Sequence, residues 1–371
     1  MAVANIQTAS IFKAEWNETN RHLNPQKTLL QTIARVVWDI FSVLIPIIGL
    51  VRLIGYAIGK LAARFMLPAA FYSEAVKKQA KDQYRNIWKG PITHQAQRDL
   101  RNHFTPEHTI VITPDGVALD ATFYRHRDAN ELTPTVITPM PNGALAKNSY
   151  PYPLMPAIHN GIVSNFALFD YRSVGDSMGT FDNMDQLVRD GSSILQWVQS
   201  KTPSNRIQFC GVSLGGAVSV NMQALDPRLT GDNANVRSLS STEDVILAQG
   251  KKLNIPKIAK WIAKIARQQG YYLDAVAPFK KIAGRKLILC HFGDKVIPED
   301  GSLARKVEDV VHELGVLESL PENELENERI GHHNAPLANY RIAGTNQNAV
   351  DRLNQFLFGQ PAAAAAAEAA G

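Results

Sequence analysis

Short apolar runs separated by turns and amphipathic stretches fill the chain after Pro106, whereas one long apolar stretch and then a basic one precede it. HTIVITPDGVALDATFYRH predicts a β-hairpin that turns at Pro114-Asp115-Gly116. Thr135 to Thr138, entered through Pro134, and Asn165 to Phe169 predict a third and a fourth strand. Between Asn183 and Gln199, the apolar residues Met184, Leu187, Ile194, Leu195 and Val198 follow helical spacing. A strand over Arg206 to Cys210, a helix over Leu214 to Ala224, a strand over Lys286 to Cys290 and a last helix over Thr345 to Phe358 complete the pattern. Strands that alternate with helices imply a mainly parallel sheet covered on both faces.

The N-terminal stretch differs in texture. From Gln31 to Tyr72 it is largely apolar, and its uncharged core, Ile40 to Val51, has twelve residues, against about 20 for a spanning helix. Pro46 and Gly49 interrupt that core, as in a kinked or hairpin-like element. Lys60, Arg64, Lys77, Lys78, Lys81, Arg85 and Lys89 follow, opposed by Glu74 and Asp82. An apolar element followed by a basic one suits the surface of an anionic membrane; a helical pair packed on the rest of the protein and a true span are the other two readings. The expected organisation is a helical, hydrophobic and basic segment over 1–105, a catalytic domain over 106–360 with a cap at about 240–284, and an Ala-rich tail over 361–371.

With 371 residues, 45% of them hydrophobic, the chain can build one large α/β domain with a substantial core. Two cysteines do not make a disulfide scaffold and fit a reducing compartment. No CxxC or Cys/His spacing suggests zinc, so neither metal nor cofactor is expected. The formal charge of +5 comes without finger spacings, RNP-type aromatics or heptads, so nucleic acid is not an expected partner. Glu15, Glu18, Arg21 and Lys27 precede any long apolar run, so a classical export signal is not expected, and the expected location is cytoplasmic or membrane-associated.

Candidate chemistry centres on CGVSLGG, residues Cys210 to Gly216. Gly211-x-Ser213-x-Gly215 between a strand and a helix is the pattern of a nucleophile elbow, where a tight turn exposes a serine and leaves room for small neighbours only. An acid and then a histidine should follow in the chain. LILCHFGDKVIP offers Asp294 directly after a strand, and IGHHNAPL offers His332 and His333 before the last helix. Asp244 is an alternative acid, and His291 is read as a support for the acid turn. The oxyanion donors would be the backbone N–H of Leu214 and one from PMPNGALA after the third strand, Gly143 being favoured over its neighbours Asn142 and Ala144.

These segments resemble the α/β-hydrolase superfamily. FDYRSVGDS, with Ser173 in place of a glycine, is similar to that family's segment after strand four; HFGDKVIP resembles its acid segment; and GHHN resembles its Gly-x-His-Asn ending. The resemblance implies an α/β-hydrolase fold, an eight-stranded, mainly parallel sheet, with Ser213, Asp294 and His333 as catalytic residues. More narrowly, the N-terminal run and RSLSSTEDV, Arg237 to Val245, resemble the chlamydial CHLPS family and the Legionella SidB-type effectors. That likeness implies a bacterial protein delivered into a host cell by a non-classical route. The expected reaction is hydrolysis of a lipid or other acyl ester or thioester through an acyl-enzyme. A serine peptidase and an inactive binding scaffold are the alternatives.

Before Lys286 lies an insertion where such folds carry a cap. In NIPKIAKWIAKIARQQG, Ile258, Trp261, Ile262 and Ile265 share one helical face, and Lys257, Lys260, Lys264 and Arg267 line another. Either the apolar face packs over the core and the lysines meet water, or the helix lies on an anionic membrane.

Overall fold

The computed structural model describes residues 33–39, positions 53, 55–57, 59, 61, 64 and 66, and the stretches 67–89, 95–146 and 162–359. The apolar core Ile40 to Val51 and the tail 361–371 lie outside the described residues, as does 1–32. Positions 33–39 and those between 53 and 66 are helical. Among the described residues no helix is long and apolar enough to cross a membrane.

The Pro114-Asp115-Gly116 turn joins β1 (Phe104–Ile112) to β2 (Ala118–His126) in a fully paired antiparallel hairpin. β1, at the sheet's edge, alternates in exposure, while β2 is buried along most of its length. β3 (Thr135–Pro139) and β4 (Asn165–Phe169) are buried at every position, as strands covered on both faces must be. β5 (Ile207–Val212), β6 (Asn233–Val236), β7 (Lys286–Cys290) and β8 (Glu313–Ser319) continue the sheet, and a short ninth strand, β9 (Tyr340–Ile342), closes it. The order is β1-β2-β4-β3-β5-β6-β7-β8-β9, parallel from β4 through β8, with β2 and β9 antiparallel to their inner neighbours. This arrangement is the α/β-hydrolase fold; the ninth strand extends the expected eight.

The helices with fully described bounds are numbered in chain order. α1 (Glu74–Lys89) and α2 (Gln95–His103) precede the sheet, after a single 3-10 turn at Pro68–Phe71. α3 (Asp185–Gln199) packs on α4 (Leu214–Ala224), which lies across β3, β5 and β6. Between β6 and β7 lie α5 (Thr242–Lys252), α6 (Pro256–Gln268) and α7 (Val276–Lys281). α8 (Glu324–Ile330) and α9 (Ala349–Phe358) follow the last parallel strand.

The FDYRSVGDS segment is anchored by charge. Arg172 is buried and donates to Asp190 of α3, at 2.7 Å from Nη2, and to Asp115 of the hairpin turn, at 2.9 Å from Nη1. Burial alone would raise the Asp115 carboxyl, but Arg172, Thr113 and Arg189 together hold it well below its usual range. Ser173, where the superfamily pattern has glycine, adopts φ 65°, and its hydroxyl donates to the Gly179 carbonyl at 2.9 Å. This serine thus keeps a glycine-like backbone shape with help from a local hydrogen bond.

Candidate active site

In open α/β sheets, sites form outside the carboxyl ends of the parallel strands. Ser213 sits there, between β5 and α4, with φ 55° and ψ −124°. A side chain pays for that conformation, which persists only where surrounding contacts over-determine it. Here the Ser213 N–H donates to Val236 O at 2.9 Å, and Gly216 N–H donates back to Ser213 O at 3.1 Å. The two glycines of the pattern are demanded by space. A Cβ on Gly211 would run into the backbone of Gly216, and one on Gly215 into the carbonyl of Pro139.

The structure brings Ser213, His333 and Asp294 together, all three buried. Asp294 follows β7 in a turn closed by its own N–H on His291 O. One of its oxygens, Oδ1, accepts the N–H groups of Val296 and Ile297 at 2.8 and 2.9 Å. The other, Oδ2, lies 2.6 Å from His333 Nδ1. An ionised carboxylate only accepts, so Nδ1 carries the imidazole proton and Nε2 is the bare nitrogen. Nε2 lies 2.9 Å from Ser213 Oγ and accepts the hydroxyl hydrogen. The result is one continuous relay from carboxylate to hydroxyl.

His332 is turned away from this relay. Its ring stacks on His291 at 3.9 Å, and its Nδ1 meets the Tyr340 hydroxyl at 3.2 Å. Asp244 is also elsewhere: it lies in the first turn of α5, where its N–H donates to the Ser241 cap and its carboxylate accepts from Ser240. His291 accepts the Gly293 N–H at its Nδ1, inside the acid turn. Burial first, then the charges of His332 and Arg237, push its pKa down to about 4, against the opposing pull of Asp294.

Leu214 opens α4, where first-turn N–H groups have no acceptor within the helix. The loop after β3 lies against this helix start, since Pro139 and Met140 carbonyls border Gly215. Within the loop, Ala144 N–H is taken up by Pro141 O at 3.1 Å, which removes Ala144 from the candidate donors. Asn142 O accepts from Ala69 N–H at 3.2 Å, and Gly143 O accepts from the Tyr72 hydroxyl at 2.6 Å. In a trans peptide the C=O and N–H point opposite ways. The bond from Ala69 therefore turns the Gly143 N–H away from the N-terminal segment.

Two holding residues were not singled out by role in the sequence. Tyr72 is one. Arg237, φ 49°, at the end of β6, is the other: it is 2% exposed, and its Nη1 donates to the carbonyls of His332, His333 and Ala335, the latter two at 2.8 and 2.9 Å. Its guanidinium lies 5.0 Å from the centre of the Tyr340 ring. Its signal in the sequence is an arginine directly after a core strand, at the head of RSLSSTEDV. Among the described residues no group of three His, Cys, Asp or Glu side chains is placed to hold a metal ion.

A family model described as X-Pro dipeptidyl-peptidase (S15 family) matches residues 115–282, a stretch that includes Ser213 and stops before Asp294 and His333. An uncharacterized protein of Acanthamoeba polyphaga mimivirus is 25% identical over 202 residues, 52% of this chain and 65% of that protein. The match thus spans just under two thirds of the viral relative. Among solved structures, an esterase of Pyrococcus furiosus aligns with a TM-score of 0.46 at 16% identity, covering 66% of this chain and 94% of that one. An acetyl xylan esterase from a Paenibacillus species aligns with 0.45 at 14% identity, covering 67% and 98%.

Proposed function

We propose that this chain is a serine hydrolase that cleaves an acyl ester or thioester through an acyl-enzyme on Ser213. The observation that carries the reading is the buried relay Asp294 Oδ2 to His333 Nδ1 and His333 Nε2 to Ser213 Oγ, at 2.6 and 2.9 Å. In this reading Ser213 Oγ attacks the acyl carbonyl as Nε2 takes its proton, and Asp294 stabilises the imidazolium. The carbonyl oxygen, now negative, is received by the N–H groups of Leu214 and Gly143. Collapse breaks the bond to the leaving alcohol or thiol, which takes the proton from His333. Water, deprotonated by the same nitrogen, then releases the acid and restores the hydroxyl. These residues supply nucleophile, base and oxyanion donors, so the reading calls for no cofactor.

A serine peptidase is the second reading, favoured by the X-Pro dipeptidyl-peptidase match over 115–282. The same relay would protonate a leaving amine. Delivery into a host cell belongs to this proposal on the strength of the narrower sequence resemblance, and a cytoplasmic or membrane-associated location on the apolar and then basic N-terminal stretch.

Turnover of p-nitrophenyl esters of graded chain length, of an acyl thioester and of X-Pro anilides, by wild type and Ser213→Ala, tests the reading. The expected result is ester or thioester cleavage that falls by about 10⁴-fold or more in the variant. Preferential cleavage of the anilide moves the assignment to peptidase, and equal residual rates in both proteins overturn it in favour of a binding scaffold.

A further inference from the structure

α6 packs with its small residues inward and its large ones outward. Ala259, Ala263 and Ala266, spaced as one helical face, are buried against α5. Gly250 of α5 lies so close to Ala259 that a methyl at that glycine would overlap the Ala259 side chain. Ile262 and Ile265 are half-buried, while Ile258 is 53% and Trp261 51% exposed. The turn into the helix adds exposed Leu253 and Ile255. The inward contact is therefore made chiefly by alanines, with Ile262 and Ile265 partly covered beside them, and about half of the surface of Ile258 and Trp261 stays open.

Charge borders this apolar strip on one side. Lys257 and Lys264 lie four before and three after Trp261, on adjacent turns, with Lys260 beyond them. All three are exposed and without a carboxylate partner among the described residues. The neighbouring charges are matched already: Arg267 pairs with Glu243 at 2.9 Å and stacks on Tyr272, and Lys251 pairs with Asp300 at 2.8 Å. The described N-terminal helical positions reach the same place. Gly55 and Gly59 lie against Gln269, and Leu53, Tyr56 and Leu61 among them are exposed.

We infer that α6 docks on an anionic lipid bilayer, with Ile258 and Trp261 in the headgroup boundary and Lys257, Lys260 and Lys264 on its phosphates. A convex helix with an apolar strip, a tryptophan at the strip's border and unmatched lysines beside it complements a flat, negatively charged, greasy surface. The inference goes beyond the hydrolase reading and does not rest on it. α5, on which α6 packs, reaches the acid turn: its Gln249 donates to the carbonyls of Lys295 and Val296, at 2.7 and 3.0 Å.

The test is co-sedimentation of the full chain with vesicles of phosphatidylcholine alone or with about one third phosphatidylglycerol, at low and high salt. Two surface variants accompany it, Lys257→Glu/Lys260→Glu/Lys264→Glu and Ile258→Ser/Trp261→Ser. Wild type is expected to sediment with the anionic vesicles and to be released by salt. Neutralising one lysine is worth about fivefold in partitioning, so reversing all three should weaken binding by about a hundredfold or more. The Ile/Trp variant should lose binding at every salt concentration. Hydrolysis of a soluble short ester should be unchanged in both, which separates failure here from failure of the hydrolase reading. Wild-type binding that ignores lipid charge, absence of binding, or variants that bind like wild type would each overturn the inference. So would a self-associated wild type that both variants dissociate, since the face would then belong to a second copy.

Discussion

Tyr72 and Arg237 act on the candidate site from behind, and each makes a distinct prediction. Tyr72 holds the carbonyl of Gly143 at 2.6 Å, so Tyr72→Phe frees the loop without opening the core. Misaiming one oxyanion donor weakens a contact made only in the transition state, so kcat should fall about tenfold to a hundredfold with KM unchanged. Steady-state kinetics on a soluble ester check this; an unchanged kcat means that the hydroxyl does not set the donor. Arg237 carries a buried charge whose Nη1 serves three carbonyls of the histidine loop. Arg237→Met leaves those carbonyls without their donor, at a cost of about 2 to 4 kcal/mol in stability, together with loss of activity. Denaturant melts of the variant give the first quantity. At this scale the sequence was most legible where covalent order carries the information. Ser213, Asp294 and His333 could be ordered along the chain, but which of His332 and His333 faces the serine is decided by Arg237 and by stacking on His291, which no local pattern encodes.

Elements with strong local signals emerge where periodicity puts them. Leu214–Ala224, Asn165–Phe169 and Lys286–Cys290 run over the expected residues. The last helix starts later than expected, at Ala349, because Asn348 caps it by accepting the Val350 N–H. β9 has three residues and exists through pairing with Leu317, Glu318 and Ser319, a long-range contact with no signature of its own. β8, ELGVLES, is charged at both ends of its apolar centre and equally hard to read. On α6 the side turned to the protein is formed chiefly by Ala259, Ala263 and Ala266, which apolar periodicity built on the large residues does not single out.

The acid turn after β7 carries a pH signature. His291 ionises near 6.5 when unfolded and at about 4 when folded. Between those values the unfolded chain binds more protons than the folded one, so the contribution of His291 to stability is whole above pH 6.5 and is lost as pH falls towards 4. His126, also pushed down, by burial first, acts in the same sense. Thermal melts from pH 7 to pH 4 should show a shallower loss of stability for His291→Asn than for wild type; parallel curves would contradict this.

Across the whole molecule, the sheet gathers what the sequence disperses. His333 stands 120 positions from Ser213 and 39 from Asp294, and successive parallel strands deliver all three to one edge. The loop after β3 is held by Ala69 and Tyr72 from the N-terminal side. The fold was legible because alternation of strands and helices is a pattern of many residues; the bracing from Tyr72 was not, because it joins positions 71 apart through a single hydroxyl.

The relay makes Ser213 an activated nucleophile in the proposed reaction. The most direct measurement of this is reaction of folded protein with a fluorophosphonate, read by intact mass and by the mass of the peptide that contains Ser213, with Ser213→Ala and His333→Ala alongside. One phosphonyl group on Ser213 of wild type, none on Ser213→Ala and a large fall in rate for His333→Ala is the predicted result. Folded wild type that stays unmodified, or that is modified elsewhere and equally in all three proteins, would contradict it.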